Sequence, residues 1–67
     1  MTITLNDKTE TLPKEKMSIA DLLEWKEIKS EGTAVAIDDR LVNRQKWTET
    51  FLTDGMNVTV ISAAFGG

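Results

Sequence analysis

The sequence contains no cysteine and no histidine. Without cysteine, no disulfide and no thiolate metal site can staple the fold. Without histidine, the chain lacks the commonest general base and the commonest zinc ligand. Chemistry is left to carboxylates, lysines and the chain terminus. Basic character is scarce as well: 8 Lys+Arg against 11 Asp+Glu give a formal net charge of −3. A nucleic-acid module carries a basic face, and none is evident here. The acidic balance is compatible with docking onto a basic protein surface. No apolar run approaches the about 18 residues that signal a membrane span. Met1 to Thr4 enter a strand pattern directly, without the charged and apolar regions of a secretory signal, so a cytoplasmic location is the expectation.

The chain has 67 residues, enough for one small domain. A domain of this size buries only about 60% of the surface that its unfolded chain exposes. Along it, Thr2-Ile3-Thr4-Leu5-Asn6 alternates with period two and predicts a half-buried strand with Ile3 and Leu5 inward. Asn6-Asp7 are turn formers, and Lys8 to Leu12 return as a second, threonine-rich strand that Pro13 stops. Ser18 is placed to cap a helix, with Asp21 three residues on completing a capping box and Met17 and Leu22 forming a hydrophobic staple. Ile19, Leu22 and Leu23 share one helical face. Lys26 then falls on that face: either its alkyl stem lies over the core or the helix ends near it. Gly32 is a stop signal for the turn that follows.

Thr33-Ala34-Val35-Ala36-Ile37-Asp38 reads as a strand, and its two alanines are small enough to let a helix pack close. Leu41-Val42 predict a short pairing strand. Between them, Asp38 and Asp39 could suggest metal or acid–base work. Neighbours in a strand point to opposite faces, which favours a turn with capping roles. Asn43 is placed to cap a single turn around Arg44-Gln45-Lys46-Trp47, in which Arg44 and Lys46 are solvated and Trp47 is a core lid rather than a binding residue. Trp25 sits at the edge of the apolar face, as surface contact or core flank. Asp54-Gly55 is a turn signal, and Asn57 to Ser62 is the last strand, with Val58 and Val60 on one face. The expected class is α+β: a mixed sheet packed on one main helix. A parallel first and last strand at the sheet centre would give the β-grasp, or ubiquitin-like, arrangement. Residues 1–62 then form the domain and residues 63–67 a flexible tail.

The run "VAIDDRLVNRQKW" (Val35 to Trp47), the Asp54-Gly55 turn and a final strand ending in Gly66-Gly67 resemble the ThiS family of sulfur carrier proteins of thiamine biosynthesis. The resemblance extends over essentially the whole chain, including the Leu22-Leu23 pair. Asn43 stands where the family often has proline, Met56 where an acidic residue is frequent, and Lys26 at an apolar position late in the helix. The resemblance implies a β-grasp fold and a non-enzymatic role as protein co-substrate. It implies that an adenylyltransferase uses ATP to convert the Gly67 carboxylate to an acyl adenylate. Sulfur from a persulfide-bearing donor protein then leaves a thiocarboxylate, which serves thiazole synthase. No cofactor is bound by the chain itself.

The tail "AAFGG" suits such a role on physical grounds. A carboxylate is a poor electrophile, and joining it to AMP supplies a leaving group. Glycine lacks Cβ, so Gly66 and Gly67 let backbone approach a nucleotide closely. Ala63 and Ala64 are thin spacers. Phe65 is either a docking anchor or folds back on the domain. A bland alternative is that the terminal glycines are simply a frayed end. The rival functions are a molybdopterin synthase small subunit, which also ends in Gly-Gly but tends to be longer with proline near it, a ubiquitin-like protein modifier, and a plain interaction module.

Overall fold

Strands β1 (Thr2–Leu5) and β2 (Lys8–Thr11) form an antiparallel hairpin in which Leu5 faces Lys8 across the two-residue turn Asn6-Asp7. Both turn residues have positive φ, 49° and 67°. That is the turn geometry whose twist matches the flanking strands, and Asn and Asp tolerate it better than other residues with a side chain. The same device recurs between β3 (Thr33–Ile37) and β4 (Arg40–Val42), where Asp38 and Asp39 take φ of 51° and 67°. The acidic pair is thus a turn, as its neighbouring positions indicate. The computed structural model describes residues 1–62.

Helix α1 (Ile19–Trp25) begins at Ser18, whose Oγ accepts from the Asp21 amide at 3.1 Å while Asp21 Oδ2 accepts from the Ser18 amide at 3.0 Å. The next two amides, of Ile19 and Ala20, donate to the carbonyls of Thr50 and Trp47. All four orphan donors of the helix start are therefore satisfied, two by the capping box and two by the 47–50 segment. Met17 and Leu22 are both buried, as the staple requires.

The helix ends without glycine. The amide of Ile28 donates to the carbonyl of Leu23 at 2.8 Å and that of Glu27 to Glu24 at 3.1 Å, the paired bonds of a Schellman motif. Glu27 stands at its left-handed position with φ 57°. Gly32, φ 69°, shapes only the later turn into β3. Of the two expectations for Lys26, the second holds: the helix ends there, Lys26 being its C-cap, while its exposed side chain pairs with Glu10 at 3.1 Å.

The sheet order is β2-β1-β5-β3-β4, with β5 (Asn57–Ser62) central, parallel to β1 and antiparallel to β3. This mixed five-stranded sheet packed on one helix is the β-grasp arrangement. Ile3, Leu5, Ile19, Leu22, Leu23, Val35, Trp47 and Val58 join one buried cluster. Trp47 is a core residue, as expected, and its Nε1–H donates to the Val42 carbonyl at 3.0 Å. The expectation for Ala34 and Ala36 fails. Strand alternation turns Val35 toward the helix; Ala34 is exposed and Ala36 lies outside the core cluster. The small residues thus lie on the sheet's open face.

Asn43 caps the turn that follows it, as its position predicts. Its Oδ1 accepts from the Gln45 amide at 3.0 Å and opens a 3-10 turn, Arg44–Lys46. Met56 is half-buried against the core. Gly55, φ 81°, and Asp54 tie the last loop to the start of β1: the Gly55 amide donates to the Thr2 carbonyl, and Asp54 Oδ1 accepts from the Thr2 amide.

Candidate functional site

The site expected from the sequence, Gly67 with Gly66, Phe65, Ala64 and Ala63, lies outside the described residues. What the structure places is the strand that leads to it. β5 is the central strand, bonded on one side to β3 as far as the Thr33–Ser62 pair and on the other to β1. The parallel register steps along in twos: the Thr4 amide donates to the Met56 carbonyl and the Asn6 amide to the Val58 carbonyl, both at 2.9 Å. Beyond this point the hairpin carries the main chain away into β2. The Asn6 side chain takes over, Nδ2 donating to the Val60 carbonyl at 3.2 Å and Oδ1 accepting from the Val60 amide at 2.8 Å. The sequence marked Asn6 only as a turn former. No periodicity announces a side chain that imitates a peptide group.

The open face of the sheet is divided. Its β1–β2 half carries the threonine pairs Thr2–Thr11 and Thr4–Thr9. Its other half carries Ala34 and Ala36 with Leu41 and Ile61, which are 75% and 59% exposed. The placement of Ile61 follows from the alternation that sends Val58 and Val60 inward. The exposure of Leu41 was not read from the sequence, although its place beside Ala36 in the hairpin register implies it.

The remaining candidates are dispersed. Trp25 is 38% exposed and borders a groove with Pro13, Lys14, Met17, Asp21 and Glu24. Phe51 is also exposed, with Lys16 Nζ 5.1 Å from its ring centre. Arg44 is exposed as expected, yet its Nη2 donates to the Ser30 carbonyl, and its guanidinium stacks 5.8 Å from the Trp47 ring. Lys46 forms only a loose surface pair with Glu49. Among the described residues one carboxyl is clearly shifted: Asp21 lies below its usual value because the Ser18 amide, and then the Ser18 hydroxyl, donate to it. That is a capping role. No group of three or more acidic side chains gathers among the described residues, and no described helix is long and apolar enough to cross a membrane.

Fold and strand order together define a ubiquitin-like β-grasp domain whose central strand leads into a short glycine-ended segment. The ThiS family model matches residues 2–67, and the chain belongs to the ThiS family. Its fold is similar to the crystal structure of a thiamine biosynthesis protein, ThiS, from Geobacter metallireducens, with a TM-score of 0.85 at 23% identity, covering 92% of this chain and 93% of that one. A solution NMR structure of a thiamine biosynthesis protein from the same organism gives a TM-score of 0.79 at 24% identity, covering 91% and 81% respectively. No curated protein sequence matches this chain.

Proposed function

We propose that the protein is a sulfur carrier of thiamine biosynthesis, with the Gly67 carboxylate as its reactive group. The observation that carries the reading is the family match, which runs through the fold and includes the terminal Gly66-Gly67. A partner adenylyltransferase binds ATP and the tail. A carboxylate oxygen of Gly67 attacks the α-phosphorus, pyrophosphate leaves, and an acyl adenylate forms. A persulfide sulfur of a donor protein then attacks the acyl carbon and AMP departs. Cleavage of the S–S bond by a thiol leaves a thiocarboxylate on Gly67, which donates its sulfur to thiazole synthase. The chain supplies no catalytic side chain in this scheme; it is a cytoplasmic co-substrate that binds no cofactor of its own.

The folded body supplies binding energy away from the reacting atom, which offsets the ordering of the tail. Leu41 and Ile61 support this reading, because they are large apolar side chains exposed on the sheet that contains β5. The thin tail supports it too: with no Cβ at Gly66 or Gly67, a narrow active site admits the terminus without a clash.

The test is the mass of the intact chain after incubation with ATP, its adenylyltransferase and a persulfide donor. The expected gain equals replacement of one oxygen by one sulfur. The chain lacking Gly67 should keep its melting temperature and gain nothing. An unchanged mass in the full chain with every cognate enzyme pair would reject the proposal.

A further inference from the structure

The hydrogen bonds around β5 assign Asn6 a task beyond its turn. Along the parallel pair of β1 and β5, donors advance by two residues as acceptors advance by two: Thr4 to Met56, just before β5, then Asn6, just after β1, to Val58. The next acceptor is the Val60 carbonyl. Its natural donor would be the main-chain amide two residues beyond Asn6, but the Asn6-Asp7 turn has delivered that residue, Lys8, into β2. The Asn6 carboxamide fills the gap in both senses. It donates to the Val60 carbonyl and accepts from the Val60 amide, as the next peptide group of a longer β1 would do.

We infer that Asn6 is a positioning residue for the tail: its carboxamide extends the β1 ladder by one step and fixes the root of the tail on the β1 side. The inference rests on the carrier reading above. Only Ile61 and Ser62 separate the clamped residue from Ala63. With the clamp in place, β5 is held on both sides as far as Val60. Without it, Thr59 to Ser62 are held by β3 alone, through the register that runs from Ala36–Thr59 to Thr33–Ser62. The stretch from Thr59 to Ser62 is then less fixed, and binding of a partner must order more backbone. The consequence falls on association, because Asn6 touches no reacting atom.

Asn6→Gly is the decisive substitution. At φ 49° glycine is better suited than asparagine, so the hairpin is kept while both side-chain bonds are lost. Asn6→Asp retains an acceptor for the Val60 amide and loses the donor. Two measurements are made on each purified full-length chain: amide hydrogen exchange by NMR, and steady-state adenylation by the partner adenylyltransferase with the carrier varied. In Asn6→Gly the Val60 amide should exchange about three to ten times faster, the scale of one exposed hydrogen bond, with the Ile3 and Leu5 amides unchanged. The KM for the carrier should rise by a similar factor of about three to ten at unaltered kcat. Asn6→Asp should keep the Val60 amide protected and fall between the two in KM. A wild-type KM in Asn6→Gly, or a loss confined to kcat, overturns the positioning role. So does faster exchange of the Ile3 and Leu5 amides together with Val60, which would mean a loosened hairpin. If the unaltered chain is not adenylated at all, the carrier reading fails and the presenting role falls with it, while the exchange rates still decide whether Asn6 clamps the strand.

Discussion

Asp21 and Ser18 each give and receive: one amide and one side-chain oxygen from each close the capping box. The carboxylate accepts, so its ionised form is the one the fold favours, and Asp21 titrates below its usual value. A carboxyl depressed in the folded state stabilises the fold above its unfolded pKa, and that contribution is lost as pH falls through the folded pKa. Asp21→Asn should therefore be less stable than the parent at neutral pH. The gap should close as the solution is acidified below the ordinary carboxylate range. Urea denaturation of both proteins across a pH series checks this; a gap that stays constant with pH would mean that ionisation of Asp21 contributes nothing. The Lys26–Glu10 pair, at a partly exposed sheet edge, contributes at most about 1 kcal/mol on the usual scale for such pairs.

At the scale of the element, helix α1 is short and relies on its ends. Its start is fully capped; its end places Glu27 where glycine is the usual residue. A left-handed conformation costs a residue with a side chain about 1 kcal/mol relative to glycine. Glu27→Gly should raise unfolding free energy by about 0.5–1 kcal/mol, less whatever chain entropy the unfolded state gains. Chemical denaturation checks the sign, and a loss of stability would show that the Glu27 side chain has a stabilising contact of its own. The start of this helix was legible in the sequence because Ser18, Asp21, Met17 and Leu22 stand at fixed offsets that encode a mechanism. Its end was not, because a Schellman turn formed on glutamate leaves no compositional mark, and Gly32 drew attention five residues too late. Strands read well where period two was clean, as in β1 and β5. Ala34 and Ala36 misled because size alone cannot tell which face of β3 meets the helix; Val35 decides that by being the larger apolar group. At the candidate site, the alternation of β5 disclosed its inward residues, whereas the Asn6 clamp depends on a register between residues more than fifty positions apart.

For the whole molecule, stability is concentrated where β5 crosses the core. Val58 is fully buried between β1 and β3, whereas Val60 is only partly so. Val58→Ala should cost about 2–3 kcal/mol from lost burial plus the cavity left behind, a large part of the roughly 3–10 kcal/mol expected for a domain of this length. Val60→Ala should cost clearly less. Equal midpoints for the two variants in thermal melts would mean that the central strand does not carry the core in this way.

The pairing of β1 with β5 also sets a condition on synthesis. In chain order β5 follows every other described strand, so a nascent polypeptide cannot complete this core until Val58 has emerged. A product cut short before Asn57 lacks the central strand, and the inward side chains Ile3, Leu5 and Val35 of the strands beside it lose the cover of Val58.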